Sequence, residues 1–281
     1  MAKANLPEFQ GKPLIEIPEF ISTAGFLEGD FGKAVDAEVQ GKYNSFPAIS
    51  VVKYNPKTQV VEGSTPFYCV AVQEVVSQAG LRVANQADLE LAIKANALSL
   101  RGQYEETGLV LRSEDNPNEY LARNLMAQIN ARNPKAKMPA MMPLSELELV
   151  ADSNSPHQLA FKLKDGAEVF YDLSVLNKDG SFSPEDIDSK TGLPNKTGSN
   201  GSRNLYTRDS GLSRLYLGGD LDLVSGSGDL AYSDGDGRVV VVSAEGTALK
   251  NVYISQLQQE AERQKSEIDA KLAKAQAILN S

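Results

Sequence analysis

The residues best suited to chemistry lie in one short segment that begins at Arg203 and ends at Arg214. Arg208 lies between these two arginines, with Tyr206 and Asp209 close beside it. Guanidinium groups form paired hydrogen bonds with planar oxyanions, and three arginines in so short a segment stand out in an acidic protein. The segment suggests a site for a small phosphorylated or carboxylated ligand. An enzyme built on it would use Asp209 as an acid or base.

Nearby aspartates offer another explanation for these arginines. Asp209, Asp220 and Asp222 are close enough in sequence to form ion pairs with them, and exposed ion pairs need no ligand. The sequence favours this structural interpretation. The ligand hypothesis rests on five candidate binding residues, which are Arg203, Tyr206, Arg208, Asp209 and Arg214.

The single cysteine and the single histidine give little support for a metal or cofactor site. Cys69 lies in an apolar run, where a thiol usually packs in the core. His157 follows a Ser-Pro turn signal and is expected in a loop. Glycine-rich motifs of the dinucleotide-binding and P-loop types do not occur. We therefore expect no cofactor and no metal.

Glu105 and Glu106 are adjacent acids just before a strand predicted over residues 107–112. Neighbouring side chains of an extended chain point to opposite sides, so the two acids are poorly placed to act together on one substrate. The sequence therefore predicts solvated turn residues rather than a catalytic pair.

Residues 177–186 imitate part of a calcium-binding loop. Asp179, Gly180, Ser183 and Asp186 fit positions of that pattern, but Val175 occupies the position of the first ligand. A plain polar turn is the preferred interpretation.

Glycines recur every nine residues toward the end of the chain, at Gly219, Gly228, Gly237 and Gly246. Calcium-binding β-rolls have a similar period, but the ligand aspartates here are out of register. The period predicts an antiparallel β-meander, with the glycines at its turns.

The first half of the chain predicts mixed helices and strands. Four prolines within residues 1–47 indicate an extended N-terminal arm, and Asn55-Pro56 predicts a hairpin turn. Thr65-Pro66 predicts the start of a helix, although residues 67–76 suit a buried strand equally well. Further helices are expected over about 86–100 and from Asp115-Asn116-Pro117 to Asn133.

The second half predicts short strands and long loops. Asp165-Gly166 is a hairpin signal between apolar runs, and residues 177–204 form one polar loop. We therefore predict an α+β protein with a mixed α/β domain over 1–140, a β-rich domain over 141–250 and a long helix within 251–281. That helix is expected to pack on the protein or to mediate self-association through a short coiled coil.

Composition and charge restrict the class of function. The chain has 281 residues, 41% of them hydrophobic, and a formal net charge of -9. An acidic surface argues against nucleic acid as a partner, and no apolar run is long enough for a membrane span. We expect a soluble cytoplasmic protein.

The stretches 100–112 and 205–217 resemble parts of a group of archaeal proteins, over about half of the chain. This resemblance carries no activity and mildly supports the cytoplasmic setting. Together these features favour a non-catalytic binding or assembly module. The alternative is an enzyme that binds an anionic small molecule through the arginine segment.

Overall fold

The computed structural model describes residues 6–17, 20–243 and 265, and it confirms the predicted α+β class. Its helices are α1 Gly29–Tyr43, α2 Pro47–Ser50, α3 Pro66–Val76, α4 Gln86–Ala95 and α5 Glu119–Arg132. Its strands are β1 Lys12–Ile17, β2 Phe20–Phe26, β3 Lys53–Asn55, β4 Val60–Glu62, β5 Leu81–Val83, β6 Tyr104–Leu111, β7 Ala140–Pro143, β8 Leu147–Ala151, β9 Leu159–Leu163, β10 Gly180–Phe182, β11 Arg203–Tyr206, β12 Leu212–Leu217, β13 Leu223–Val224, β14 Gly237–Arg238 and β15 Val240–Ser243.

Two larger sheets and two hairpins contain these strands. The first sheet has the order β1-β2-β15-β5, and the second has the order β10-β11-β13-β12-β6-β14, with β7 pairing to the far end of β6. Strands from before and after residue 140 share both sheets, since β6 pairs with β12 and β2 pairs with β15. The boundary expected near residue 140 therefore does not separate two sheets.

The predicted β-meander is wrong. β12 and β13 form an antiparallel pair, but β13 also pairs in parallel with β11, and β14 pairs in parallel with β6. β15 lies in the other sheet. The nine-residue glycine spacing marks irregular connections instead: Gly219 lies in the turn after β12, Gly228 lies in the long 225–236 loop, and Gly246 lies outside the described residues.

Local capping signals account for two of the helices that the sequence predicted, α3 and α4. Thr65 caps α3 by accepting a hydrogen bond from the Tyr68 amide at 3.0 Å, which settles the helix-or-strand question in favour of the helix. Asn85 and Asp88 form a reciprocal capping box at the start of α4. α4 ends earlier than predicted, because Asn96 adopts a left-handed conformation.

The expected extended arm contains a long helix, so that prediction is wrong. No proline occurs between Pro18 and Pro47, and Phe31, Val35 and Val39 recur at helical spacing along α1. These three side chains are buried against the core. The prolines at both ends of this segment drew attention away from the helical periodicity of the residues between them.

Two turn predictions have different outcomes. The hairpin around Asn55-Pro56 is confirmed, because β3 pairs with β4. The Asp165-Gly166 hairpin is wrong: β9 pairs with the preceding strand β8, and the segment after the turn contributes only the Phe170 bridge to Met141. The polar stretch 177–204 is also not one loop, since it contains β10.

Helix α3 lies at the centre of the larger core cluster. Every residue of α3 except Glu74 is buried, as expected for a helix that is apolar on all sides. α3 packs against α1, β5 and β8. Its first turn thereby faces the polar residues of β6, where the candidate site lies.

Two further predictions were that no segment spans a membrane and that the chain ends in a long helix. Among the described residues, no helix has the length and apolar character needed to cross a bilayer. The predicted C-terminal helix lies outside the described residues.

Candidate functional site

Arg203 forms a structural ion pair with a helix. Its guanidinium nitrogens donate to both carboxylate oxygens of Glu90 on α4, at 2.6 and 2.8 Å, and it lies 4.9 Å from the centroid of the Phe182 ring. Both charged side chains are buried. These two parallel hydrogen bonds occupy the guanidinium N–H groups that an anionic ligand would need.

Arg214 is also buried and paired. It forms an ion pair with Glu106 on the neighbouring strand β6, and its guanidinium lies between the rings of Tyr104 and Tyr216 at 5.3 and 4.7 Å. Its Nη1 donates to the main-chain carbonyl of Tyr232 at 2.9 Å. Arg214 thus connects the sheet to the 225–236 loop.

The remaining predicted site residues do not converge on a ligand. Arg208 donates to the carbonyls of Ser210 and Gly226, at 3.0 and 2.9 Å, and Asp209 and Tyr206 are exposed. The five predicted residues therefore do not line one site. Arg203 and Arg214 neutralise two different carboxylates, at separate positions on the sheet.

Sequence inspection missed a third buried arginine, Arg112. Its guanidinium donates to the Leu176 carbonyl and to the hydroxyls of Ser213 and Ser225, at 2.7 to 3.0 Å. Burial lowers the pKa of Arg112 to about 10. These contacts tie β12 to the segments before β10 and after β13, so Arg112 stabilises the architecture on which the site rests.

Glu105 and Glu106 are the largest departure from the sequence prediction. β6 begins at Tyr104, so both acids lie inside the sheet and are only 1% and 3% exposed. Burial raises the pKa of Glu105 to about 8 and that of Glu106 to about 7. Arg238 and Arg214, respectively, oppose these shifts. The expectation of solvated turn residues is therefore wrong.

Unsatisfied polar atoms concentrate around these two acids. In the described part of the chain, the buried side-chain nitrogen and oxygen atoms without a hydrogen bond belong to Gln103, Glu105, Glu106 and Arg214 alone. Glu106 has its ion pair with Arg214, but Glu105 has no hydrogen-bond donor at either carboxylate oxygen. Buried polar groups are nearly always paired, so such a concentration marks a specialised site.

Cys69 lies beside this cluster but is not a reactive nucleophile. It is fully buried in α3, and its Sγ lies 3.3 Å from the Ser64 hydroxyl. Burial raises the pKa of Cys69 to about 12, which keeps it in the unreactive thiol form. This agrees with the packing role expected from the sequence.

The 225–236 loop covers the cluster. Its Asp234 amide donates to the Tyr104 hydroxyl at 3.2 Å, and that hydroxyl donates to the Ser64 carbonyl. The Ser64 amide in turn donates to the Ser233 hydroxyl at 3.0 Å. The loop is therefore fixed to β6 and to the start of α3 by specific hydrogen bonds, besides the contact with Arg214.

Two adjacent cavities lie on the outer side of this loop. They meet at Val51, which lines both, and we call them together the Val51 cleft. The first, of about 440 Å³, is lined by Pro47, Ala48, Ser50, Val51, Pro156, His157, Gln158 and Ala231. The second, of about 390 Å³, is lined by Val51, Lys53, Tyr54, Asn55, Pro56, Glu62, Ser233, Asp234 and Gly235.

Comparison with known proteins adds no assignment to this geometry: the chain matches no family model, no curated protein and no solved structure.

An exposed apolar side chain occurs where the two cavities meet: Val51, which lines both, is 48% exposed. His157, predicted in a loop, lines the first cavity, and its ring packs 4.9 Å from that of Phe67. Burial lowers the pKa of His157 and favours the neutral imidazole, which can both donate and accept a hydrogen bond. The cleft thus offers apolar contact and polar groups together.

The calcium-like pattern has a structural use. Asp179 Oδ1 accepts a hydrogen bond from the Thr207 amide at 2.6 Å, which joins the start of β10 to the end of β11. Across the described ranges, no three acidic, histidine or cysteine side chains are grouped closely enough to hold a metal.

Proposed function

We propose that this protein is a non-catalytic binding module and that the Val51 cleft is its ligand site. The observation that carries this proposal is the exposure of Val51, whose side chain lies at the junction of two cavities. Aromatic and apolar side chains that stay accessible beside concave surfaces are typical anchors for ligands.

The cleft suits a short peptide segment in an extended conformation. Each cavity falls within the volume range of typical ligand sites, roughly 300–1,000 Å³. The end near Pro47 and Pro156 presents apolar surface, while Asn55, Ser233 and Asp234 offer hydrogen-bonding groups at the other end. A peptide has the matching combination, with an apolar side chain for one cavity and main-chain amides and carbonyls for the other.

The alternative of an enzyme built on the arginine segment has less support. Arg203 and Arg214 already have carboxylate partners, and Arg208 donates to main-chain carbonyls. An anion would have to displace these contacts. Self-association through residues 251–281 and the cytoplasmic setting stay predictions.

Peptide selection on the full chain tests the proposed function. A library of random peptides is displayed on phage, and the dissociation constant of the most enriched peptide is measured by calorimetry. We expect Val51→Ser to weaken the binding of that peptide by about tenfold or more, because it removes the accessible apolar anchor of the cleft.

Tyr206→Ala is the matched control, because Tyr206 is 47% exposed and lies outside the cleft. It is expected to leave the affinity unchanged. Failure to enrich any peptide above an unrelated control protein would contradict the proposal. So would a selected peptide that binds the Val51→Ser variant as tightly as the wild type.

A further inference from the structure

A further cavity, of about 690 Å³, lies between the segment that leads into β1 and the start of α1. We call it the N-terminal cavity. Three phenylalanines contribute to its walls: Phe9 before β1, Phe26 at the end of β2 and Phe31 in α1. It shares no lining residue with the Val51 cleft. Its other lining residues are Pro7, Glu8, Gln10, Lys12, Glu28, Gly29, Asp30, Thr58 and Gln59.

The Phe9 ring is held in place by the surrounding fold. Its centroid lies 5.1 Å from that of the Phe31 ring, and Phe31 is buried. A Cβ on Gly11 would come within 2.7 Å of the Phe9 ring, and a Cβ on Gly25 would come within 3.1 Å of it. Each glycine therefore leaves space that the ring occupies. The aromatic wall is built into the fold and needs no ligand to form it.

The charges around the N-terminal cavity are mainly negative. Glu8, Glu28 and Asp30 line it, and within the described ranges none of these carboxylates has a hydrogen bond or an ion pair. Lys12 supplies one positive charge, and the N-terminus of α1 supplies about half a charge more. The cavity therefore keeps a net charge of about -1.5, which favours a cation over an anion.

We propose that the N-terminal cavity binds an organic cation of the alkylammonium class. The faces of aromatic rings attract such cations, and the alkyl groups of the ligand gain apolar contact with the same rings. The carboxylates add attraction for the positive charge. A metal ion fits less well, because no three acidic, histidine or cysteine side chains of the described residues are grouped closely enough to hold one.

A comparison of choline with its neutral isostere tests this proposal. In the isostere a tert-butyl group replaces the trimethylammonium group, so the shape is kept and the charge is lost. Each compound is titrated into the full chain, and binding is followed by the ring resonances of Phe9, Phe26 and Phe31. We expect choline to bind about tenfold more tightly than the isostere, because only choline gains the electrostatic attraction.

Two substitutions at the cavity and one matched control locate the site. Phe9→Leu removes an aromatic face, and Glu28→Gln removes a carboxylate that has no described partner. Each is expected to weaken choline binding by about threefold or more. Glu38→Gln removes an exposed acid of α1 that does not line the cavity, and it is expected to leave the affinity unchanged.

Equal affinity for choline and its isostere would overturn the proposal, because the cavity would then recognise shape without charge. The absence of choline-dependent shifts at the three ring resonances would also overturn it, and this result needs no variant to fold. A loss of affinity in Glu38→Gln as large as that in Glu28→Gln would show attraction to the acidic surface in general, and it would contradict a site in the cavity.

Discussion

Replacing Arg203 by methionine is expected to lower the free energy of unfolding by about 3–5 kcal/mol, because it leaves the Glu90 carboxylate buried without its counter-ion. The loss should appear as a lower midpoint in urea denaturation followed by circular dichroism, with an unchanged slope. An effect of this size identifies Arg203 as part of the architecture. A loss below about 1 kcal/mol would instead show that the guanidinium of Arg203 is exposed and could bind a ligand.

Two controls separate the buried charge from the removal of a side chain. The double variant Arg203→Met/Glu90→Gln removes both charges and is expected to lose less stability than Arg203→Met alone. Arg123→Met breaks an exposed ion pair with Glu119 and is expected to cost only about 0.5 kcal/mol. Equal losses in the buried and exposed pairs would contradict the burial of Arg203.

The free energy of unfolding is expected to fall as the pH rises from about 5 to about 9. Burial raises the pKa of Glu105 from 4.5 to about 8, so the folded state holds a proton that the unfolded state has already released. Stability therefore falls with increasing pH between these two values and levels off above the folded pKa. At about 1.4 kcal/mol per pKa unit, the loss is on the order of several kcal/mol.

Glu105→Gln should remove the contribution of Glu105 to this dependence, because the amide cannot ionise, whereas the raised pKa of Glu106 still lowers stability up to about pH 7. Denaturation curves across the pH range are expected to show a flatter profile, with the variant gaining on the wild type between about pH 5 and about pH 8. Glu119→Gln, at an exposed acid, provides the matched control and should retain the steep profile. A wild-type stability that stays constant or rises over this range would show that Glu105 is solvated.

Local chemistry explains which parts of the fold were predictable. The α3 cap depends on Thr65 and the α4 capping box on Asn85 and Asp88, all within four residues of the bonds they make. The Asn55-Pro56 hairpin depends on turn residues in the same way. Such signals are visible in a short window of sequence, so the start of α3, the helix α4 and the hairpin were predictable, although residues 67–76 suited a helix and a strand equally.

The candidate site depends on contacts between distant segments. Glu106 and Arg214 are neighbours only because β6 pairs with β12, and no local property of either strand specifies that pairing. The partner of Arg203 is likewise supplied by α4, far along the chain. Sequence reasoning found the unusual arginines but assigned them to exposed ion pairs with nearby aspartates or to a ligand, because it had no means of identifying their buried glutamate partners.

The β-rich part shows how a periodic signal can mislead. Gly219 and Gly237 suit tight turns or close approaches, and a Cβ at Gly237 would meet the Ser64 amide nitrogen at 2.5 Å. That close approach, rather than a repeated strand-and-turn unit, explains the glycine. Each glycine therefore has its own local structural reason, and the regular spacing does not indicate a structural repeat.

The burial of the two β6 glutamates is tested most directly by a carbon-detected NMR titration of the side-chain carboxyl groups in the full chain. Assigned resonances of Glu105 and Glu106 should titrate near pH 8 and pH 7, respectively, well above the exposed glutamates. Ordinary pKa values near 4.5 for both residues would contradict the buried pair.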